Sequence, residues 1–208
     1  MELPAPASAA RLFWAVPFEP SPRIETLFAD LQRWRSALKI TRAEQFHLTL
    51  KFLGDTPPEQ IDAIRETGLA TVRETAPPAI CRGLGVFPPR GRPNVLWLGL
   101  TGAEALIALA ARLDSAMQTL GYAPERRAFH PHLTLARFKL APPRPMQRWI
   151  DERRDADFGS LPVRELVLYR SQLTPAGSIY TKIATAPLLQ SKWGDAESAR
   201  LTSIMVCR

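Results

Sequence analysis

Apolar positions along the chain recur at two different spacings, which predict strands alternating with amphipathic helices. Residues 11–18 and 46–53 are short, apolar and alternating, as expected for strands that bury one face. Apolar residues spaced three and four apart over residues 23–38 and 61–72 predict helices with one buried face. The first part of the chain is therefore expected to run strand, helix, strand, helix.

The same order of elements recurs in outline further along the chain. Residues 79–87 and 95–100 are expected to pair as strands. An Ala- and Leu-rich helix over residues 103–120 should end at Gly121, because glycine tolerates the positive φ of a helix C-terminus. The remaining predicted elements are a strand over residues 132–140, a short helix over 145–154 and a closing hairpin of 163–174 with 178–184.

Hairpins mixed with helices favour an α+β fold. A doubly wound parallel sheet needs continuous apolar strands in strict alternation with helices, and few segments show that pattern. We expect one two-lobed domain over residues 8–190. Residues 191–208 show no clear pattern, which is typical of a tail that is disordered or foreign to the fold.

Composition excludes several classes of protein. With 46% apolar residues among 208, the chain can bury a substantial core, which excludes a disordered protein. No stretch approaches the roughly 18 consecutive apolar residues of a membrane span, and the N-terminus lacks a signal-peptide pattern. Cys81 and Cys207 have no spacing typical of a disulfide framework or a zinc ribbon, so we expect a cytoplasmic protein that does not bind membranes.

The formal charge of the chain is +7, and only five of its 27 basic residues are lysine. The planar arginine side chain suits phosphate groups, so the excess of arginine fits a polyanionic partner. A compositional bias explains the same excess equally well. Charge alone therefore leaves the partner open.

The tetrapeptide His-Leu-Thr-Leu occurs twice, at residues 47–50 and 132–135. Residues two apart in a strand point to the same face, so each copy presents an imidazole beside a hydroxyl while its leucines face a core. A single such histidine is more often a hydrogen-bonded part of a half-buried strand. Because two of the chain's three histidines occupy matching positions, the repeat indicates two pseudo-equivalent lobes with a shared function.

Two imidazoles on opposite sides of a groove suit displacement at phosphorus. One neutral histidine can take a proton from attacking water while a protonated one gives a proton to the departing oxygen, since both forms exist near an unperturbed pKa of about 6.5. The hydroxyls of Thr49 and Thr134 can donate to phosphate oxygens. The alternative is a metal site of His47, His130 and His132, which is disfavoured because no carboxylate sits at a typical ligand spacing.

Several segments carry a resemblance to a known family: Phe-His-Leu-Thr-Leu-Lys-Phe-Leu-Gly at 46–54, Gly-Val-Phe-Pro at 85–88 with Val-Leu-Trp-Leu-Gly at 95–99, Phe-His-Pro-His-Leu-Thr-Leu-Ala-Arg at 129–137, and Leu-Tyr-Arg-Ser at 168–171. In order and spacing they resemble the RNA 2′,3′-cyclic phosphodiesterase branch of the 2H phosphoesterases, over about residues 10–190. The resemblance implies a bilobal α+β fold. In it, two pseudo-symmetric antiparallel-sheet lobes with outer helices enclose a central groove.

The same resemblance implies hydrolysis of RNA 2′,3′-cyclic phosphate ends to 2′-phosphomonoesters, with no cofactor and no metal. The expected partners are RNA or nucleotides that carry such ends, and we expect a monomer. Two alternatives remain open. The same residues could perform ATP-independent 2′-5′ RNA ligation or 2′-5′ oligonucleotide cleavage, or the chain could be a non-catalytic module that binds RNA or nucleotides.

The resemblance also assigns roles to the repeated residues. By this resemblance His47 is the proton donor to the leaving 3′-oxygen, and His132 is the base that activates water. Thr49 and Thr134 hold the phosphate.

Phe52 and Arg137 lie at the same offset in the two copies, three residues after the threonine. The resemblance implies base stacking by Phe52 and a phosphate contact by Arg137, with core packing and a surface salt bridge as the alternatives. In a regular strand both side chains would point away from the histidines, and Lys51 and Ala136 would share the histidine face. We therefore expect a bend or bulge that is repeated in both strands.

Three further side chains are weaker candidates. Pro131 removes a backbone donor, so the strand should begin near it, and we expect His130 to position or support the substrate site rather than to catalyse. Arg90 and Arg92 lie between two predicted strands and are candidates for contacts to an RNA backbone, although solvation alone explains exposed charges in a loop.

Overall fold

Strands dominate the fold. In the computed structural model, which describes residues 10–73, 77–174 and 177–188, nine strands form two antiparallel sheets. The strands are β1 (Ala10–Pro17), β2 (Leu38–Ile40), β3 (His47–Thr56), β4 (Ala79–Phe87), β5 (Val95–Thr101), β6 (His132–Phe138), β7 (Asp157–Leu161), β8 (Glu165–Thr174) and β9 (Gly177–Pro187).

Four helices in the described ranges connect these strands. They are α1 (Pro22–Leu31), α2 (Ile61–Leu69), α3 (Glu104–Gln118) and α4 (Arg144–Asp151). Short 3₁₀ turns occur at Gln32–Trp34, Ala43–Gln45 and Pro58–Gln60. None of the helices in the described part of the chain has the length and apolar character needed to cross a membrane.

Each sheet combines strands from distant parts of the chain. The first sheet has the order β3-β1-β8-β9, and the second has the order β2-β6-β5-β4-β7. β2 comes from the first part of the chain but pairs with β6, and the hairpin of β8 and β9 returns to pair with β1. The α+β class and the bilobal arrangement are therefore confirmed. The two sheets, however, are not two consecutive halves of the sequence.

Most predicted elements are present with shifted ends, but two short strands were not predicted from the sequence pattern. The helix expected over residues 23–38 ends at Leu31, because the chain turns there and residues 38–40 form β2. β2 has three residues and β7 contains Gly159 at a φ of 84°, so neither shows the sustained alternation that predicts a strand. Residues 8–9, 175–176 and 189–208, which include the predicted tail, lie outside the described residues.

β1 separates the main core from a second, smaller cluster. Leu12 and Trp14 point into the main core, which joins both sheets to the four helices. Phe13 and Ala15 alternate to the opposite face, where they pack with Tyr169. The alternation of one strand thus places the main core on one side and a face rich in aromatic rings on the other.

A buried ion pair joins β3 to α3. The Nζ of Lys51, whose side chain is 4% exposed, donates to Oδ1 of Asp114 at 2.5 Å and to the carbonyl of Ala123 at 2.7 Å. Asp114 also accepts the backbone N–H of Glu125 at 3.0 Å. Burial opposes ionisation of this carboxyl, but the hydrogen bonds from Lys51 and Glu125 hold the pKa of Asp114 below its ordinary value. The pair fixes β3 against the segment that leads to β6.

Replacing Lys51 by Met keeps the length of the side chain but leaves the Asp114 carboxylate without its cation. We expect Lys51→Met to lower the free energy of unfolding by about 3 kcal/mol, since removing one partner of a buried pair commonly costs about 3–5 kcal/mol. Arg65→Met breaks exposed pairs with Asp62 and Glu66 and should change it by less than about 1 kcal/mol. Urea denaturation measures both, and equal losses in the two variants would contradict a special role for the buried pair.

Candidate active site

β3 contains a β-bulge directly after its threonine. Consecutive residues of β1 lie opposite Thr49 and Lys51, so Leu50 between them has no partner. A bulge of this kind places two consecutive side chains on one face and reverses the alternation beyond it. Leu50 and Lys51 are accordingly both buried, and Phe52 is 50% exposed.

β6 contains a bulge at the matching position. Consecutive residues of β5 lie opposite Thr134 and Ala136, which leaves Leu135 without a partner on β5. Leu135 and Ala136 are buried, and Arg137 is exposed. The irregularity expected from the matching offsets is confirmed in both strands. Lys51 and Ala136, which would share the histidine face in a regular strand, are turned into the interior by the bulges.

The two strands contribute to one pocket of about 250 Å³. Its walls include His47, Thr49 and Phe52 of β3, with Thr134 and Arg137 of β6. Further walls come from β1, from β2 and the segment after it, and from the hairpin of β8 and β9, through Phe13, Lys39, Ile40, Thr41, Arg42, Gln45, Ser171, Gly177, Ser178 and Tyr180.

The other two predicted site residues, His132 and His130, are not in the lining of this pocket. His132 is half-buried two residues before Thr134, and it is close enough to His47 to act on its pKa. The ring of His130 packs edge-on against Trp97, with centroids 5.1 Å apart. The pocket therefore gathers five of the seven predicted residues, with His132 near His47 and His130 in a supporting position.

The two catalytic candidates make the same backbone hydrogen bond. His47 donates through Nδ1 to the carbonyl of Gln45 at 2.6 Å, and His132 donates through Nδ1 to the carbonyl of His130 at 2.7 Å. Because a carbonyl only accepts, each neutral ring carries its hydrogen on Nδ1 and leaves Nε2 as an acceptor. Nε2 of His47 lies 3.1 Å from the hydroxyl of Thr49. Both rings thus direct the nitrogen that can exchange a proton away from the backbone.

Aromatic rings enclose both imidazoles. The ring centroids of Phe13 and Tyr180 lie 5.1 Å and 5.4 Å from that of His47. Phe87 meets His132 edge-on at 5.0 Å. These contacts hold the rings in place and shield them from water.

This enclosure changes the acid strength of both histidines. Burial lowers the pKa of His47 from 6.5 to about 4, with the charges of His132 and Arg137 acting in the same direction and the hydrogen bond to Gln45 opposing them. Burial also lowers the pKa of His132. A phosphate anion in the pocket would favour the protonated ring and oppose these shifts. Anion binding and protonation of the site are therefore coupled.

Two walls of the pocket are not evident from the sequence pattern. Lys39 and Gln45 lie in the connection between α1 and β3, and Ser178 is the second residue of β9. The side-chain amide of Gln45 donates to the carbonyl of Ser178, which attaches the hairpin to this connection. The one available signal is the basic and polar run Lys-Ile-Thr-Arg shortly before the first histidine strand.

Arg90 and Arg92 do not line the pocket. Both are exposed between β4 and β5, and Arg92 donates to the carbonyl of Lys139 at 3.1 Å. Their contact with an RNA backbone stays a prediction.

The histidines do not converge on a shared metal position. Within residues 10–73, 77–174 and 177–188, no group of three or more His, Cys, Asp or Glu side chains is placed to hold a metal ion. The rings of His130 and His132 are stacked with centroids 6.4 Å apart.

Sequence comparison relates this geometry to known proteins. The model of a family described as the 2′-5′ RNA ligase superfamily matches residues 18–175. A relative from Aeropyrum pernix, an RNA 2′,3′-cyclic phosphodiesterase, is 37% identical over 145 residues, which are 69% of this chain and 82% of the relative. A relative of the same name from Methanothermobacter thermautotrophicus is 38% identical over 146 residues, 69% of this chain and 79% of the relative.

Solved structures share the fold. A crystal structure of TT0787 of Thermus thermophilus has a TM-score of 0.68 and 32% identity, and the match covers 87% of this chain and 99% of that one. E. coli LigT complexed with 3′-AMP has a TM-score of 0.65 and 25% identity, over 88% of this chain and 100% of LigT.

Two antiparallel sheets, each with a His-x-Thr strand bulged at the same position, define the two-histidine class of phosphoesterases. The chain belongs to the 2′-5′ RNA ligase superfamily. The resemblance inferred from the sequence segments is confirmed.

Phosphate should change the titration of the histidines if the pocket binds it. In the free protein we expect the His47 imidazole to stay neutral until the pH falls to about 4. Saturating inorganic phosphate should raise the pKa of His47, because the anion stabilises the imidazolium. NMR titration of the imidazole nitrogens measures both states, with chloride at matched ionic strength as the control. An unchanged titration in phosphate would rule out an anion site beside His47.

Proposed function

We propose that this protein hydrolyses RNA 2′,3′-cyclic phosphate ends to 2′-phosphomonoesters by acid–base catalysis between two histidines. The observation that carries the proposal is the pair of matched imidazoles, each held at Nδ1 by a backbone carbonyl, which leaves Nε2 as the nitrogen that exchanges a proton. The relatives from Aeropyrum pernix and Methanothermobacter thermautotrophicus, named RNA 2′,3′-cyclic phosphodiesterases, support it.

In the proposed reaction, water attacks the phosphorus of the cyclic phosphate and the bond from phosphorus to the 3′-oxygen breaks. Nε2 of His132 accepts the proton of the attacking water. Nε2 of His47 gives a proton to the departing 3′-oxygen, and the phosphate stays on the 2′-oxygen. One water is consumed, and the two histidines end the turnover with their protonation states exchanged.

The low pKa of His47 in the free site fits an acid that gains its proton with the substrate. A histidine that stayed neutral could not donate to the 3′-oxygen. The anionic cyclic phosphate opposes the effect of burial and of the neighbouring Arg137 charge, and so favours the imidazolium when the acid is needed.

Other side chains of the pocket bind and orient the nucleotide. The hydroxyls of Thr49 and Thr134 donate to the phosphate oxygens, where negative charge develops during attack. Arg137 adds a positive charge beside the same group. Phe52, half-exposed on the pocket wall, offers its ring to the terminal base.

We also propose that residues 8–190 act as one two-lobed domain in a monomeric, cytoplasmic enzyme, with RNA or nucleotide ends as partners. The buried, free thiol of Cys81 fits a reducing compartment. The crystal complex of E. coli LigT with 3′-AMP supports a nucleotide ligand.

Removing either histidine should abolish most of the activity on an RNA with a 2′,3′-cyclic phosphate end. We expect His47→Ala and His132→Ala each to lower kcat by about 100- to 10,000-fold, the usual worth of a general acid or base. Arg65→Met, on the exposed face of α2, should keep full activity. A chelator should leave the wild-type rate unchanged, and the product should carry its phosphate on the 2′-oxygen. A histidine variant that retains the wild-type rate of hydrolysis would contradict the proposal.

The pH dependence should differ between kcat/KM and kcat. The bell-shaped pH profile of kcat/KM reports the pKa values of the free protein. Its two limbs should therefore fall at the His47 pKa of about 4 and at the lowered pKa of His132, with an optimum below pH 6.5. The pH profile of kcat reports the enzyme–substrate complex. It should be displaced to higher pH, because bound phosphate raises the pKa values of the histidines. Initial rates over a series of buffers of constant ionic strength measure both, and coincident bells would contradict coupling between substrate charge and protonation.

A further inference from the structure

Two like charges face each other across β2 and β6. Lys39 and Arg137 are directly opposite in this antiparallel pair, and both line the pocket. Such opposite residues have Cβ atoms about 4.5–5.5 Å apart, and like charges in these positions destabilise a sheet. An anion bound between the two side chains would remove this repulsion.

Among the described residues, no acidic side chain offsets the two charges. The part of the pocket lining that the structure describes contains neither Asp nor Glu. In the described ranges 10–73, 77–174 and 177–188, no ion pair joins Lys39 or Arg137 to a carboxylate. The excess positive charge of this wall is therefore available to a ligand.

The position of Lys39 places its ammonium beside the hairpin of β8 and β9. Its Nζ lies 3.6 Å from the position that a Cβ on Gly177 would occupy, which places the ammonium group in contact distance of the start of β9. The hydrogen bond from Gln45 to the carbonyl of Ser178 holds the start of β9 against the same wall. Lys39 therefore belongs to a wall built from two elements that are fixed to each other.

The reacting phosphate does not use all of this charge. A 2′,3′-cyclic phosphate carries one negative charge, which in the proposed function lies beside the histidines and Arg137. Lys39 and Arg42 are further cations of the pocket lining, and Lys39 is the one that lies directly opposite Arg137. In an oligoribonucleotide the next negative charge is the phosphodiester on the 5′ side of the terminal nucleotide, one nucleotide away.

We infer that Lys39 forms a second phosphate subsite, which binds the phosphodiester on the 5′ side of the terminal nucleotide. The inference rests on the proposed function and specifies its substrate class. The preferred substrates are oligoribonucleotides that end in a 2′,3′-cyclic phosphate, and nucleoside 2′,3′-cyclic phosphates are poorer ones.

Three substrates with the same terminal base test this subsite. They are a nucleoside 2′,3′-cyclic phosphate, the dinucleotide with that end, and the same dinucleotide with an uncharged methylphosphonate linkage. We expect wild-type kcat/KM for the charged dinucleotide to exceed the other two by about tenfold, or about 1.4 kcal/mol of binding. The methylphosphonate keeps the added base and sugar, so it isolates the contribution of the charge.

Two matched variants assign this preference to a residue. Lys39→Met should lower kcat/KM for the charged dinucleotide by about tenfold and leave the nucleoside substrate within about twofold. For that dinucleotide it should also make log kcat/KM depend less steeply on log salt, because one attraction between opposite charges is lost. Lys182→Met removes an equal charge from β9 outside the pocket and should change neither.

A folding readout separates this role from a structural one. Because Lys39→Met removes a repulsion with Arg137, its free energy of unfolding should not fall. An equal loss of activity on the charged dinucleotide and the nucleoside, or a dinucleotide preference retained by Lys39→Met, would overturn the subsite. If the wild type turned over none of the substrates, the proposed function would fail. The salt-dependent Kd of a labelled oligoribonucleotide for wild type and Lys39→Met would then decide on the subsite alone.

Discussion

Strand alternation is the constraint on which the active site depends. Side chains of a regular strand change face at every residue, so the histidine, the threonine and a residue three positions further on cannot all reach one side. The bulges at Leu50 and Leu135 shift this parity between the threonine and the residue three positions further on in each histidine strand. As a result, polar and substrate-facing groups share one surface, while two consecutive buried residues fill the interior behind them. The placement of Phe52 and Arg137 is thus a property of backbone pairing, fixed by apolar residues that never touch the pocket.

The two copies are alike in backbone but different in charge. Behind the first bulge Lys51 forms an ion pair with Asp114, whereas Ala136 behind the second simply packs in the core. On the pocket side of the strands, the first copy presents the aromatic ring of Phe52 and the second presents the cation of Arg137. A symmetric scaffold therefore offers an asymmetric surface. That asymmetry suits a nucleotide end, which has an aromatic base on one side of the ribose and an anion on the other.

The sequence predicts those features that depend on sustained local patterns. The alternation of residues 46–53 and 132–140 is long enough to identify both histidine strands. The bulges are predicted because the family resemblance implies substrate contacts by Phe52 and Arg137, at equal offsets that a regular strand would turn away from the histidines. β2 is too short to show a period, and its place beside β6 depends on pairing between residues about a hundred positions apart. The places of Lys39, Gln45 and Ser178 in the pocket wall could not be predicted from the sequence for the same reason. The lowered His47 pKa of about 4 could not be predicted from the sequence either, because desolvation depends on the aromatic rings that the fold packs around the imidazole.

The position of β1 between β3 and β8 has a consequence for the biosynthesis of the protein. The strand that supports the first histidine is paired on its other side with a strand that the ribosome makes more than 150 residues later. Ser178 and Tyr180, which close the pocket, are made later still. A nascent chain thus contains both His-Leu-Thr-Leu segments well before it has a closed pocket, and the His47 imidazole lacks its contacts with Tyr169 and Tyr180 until the hairpin of β8 and β9 docks. The order of synthesis by itself delays closure of the pocket until the hairpin of β8 and β9 has been made.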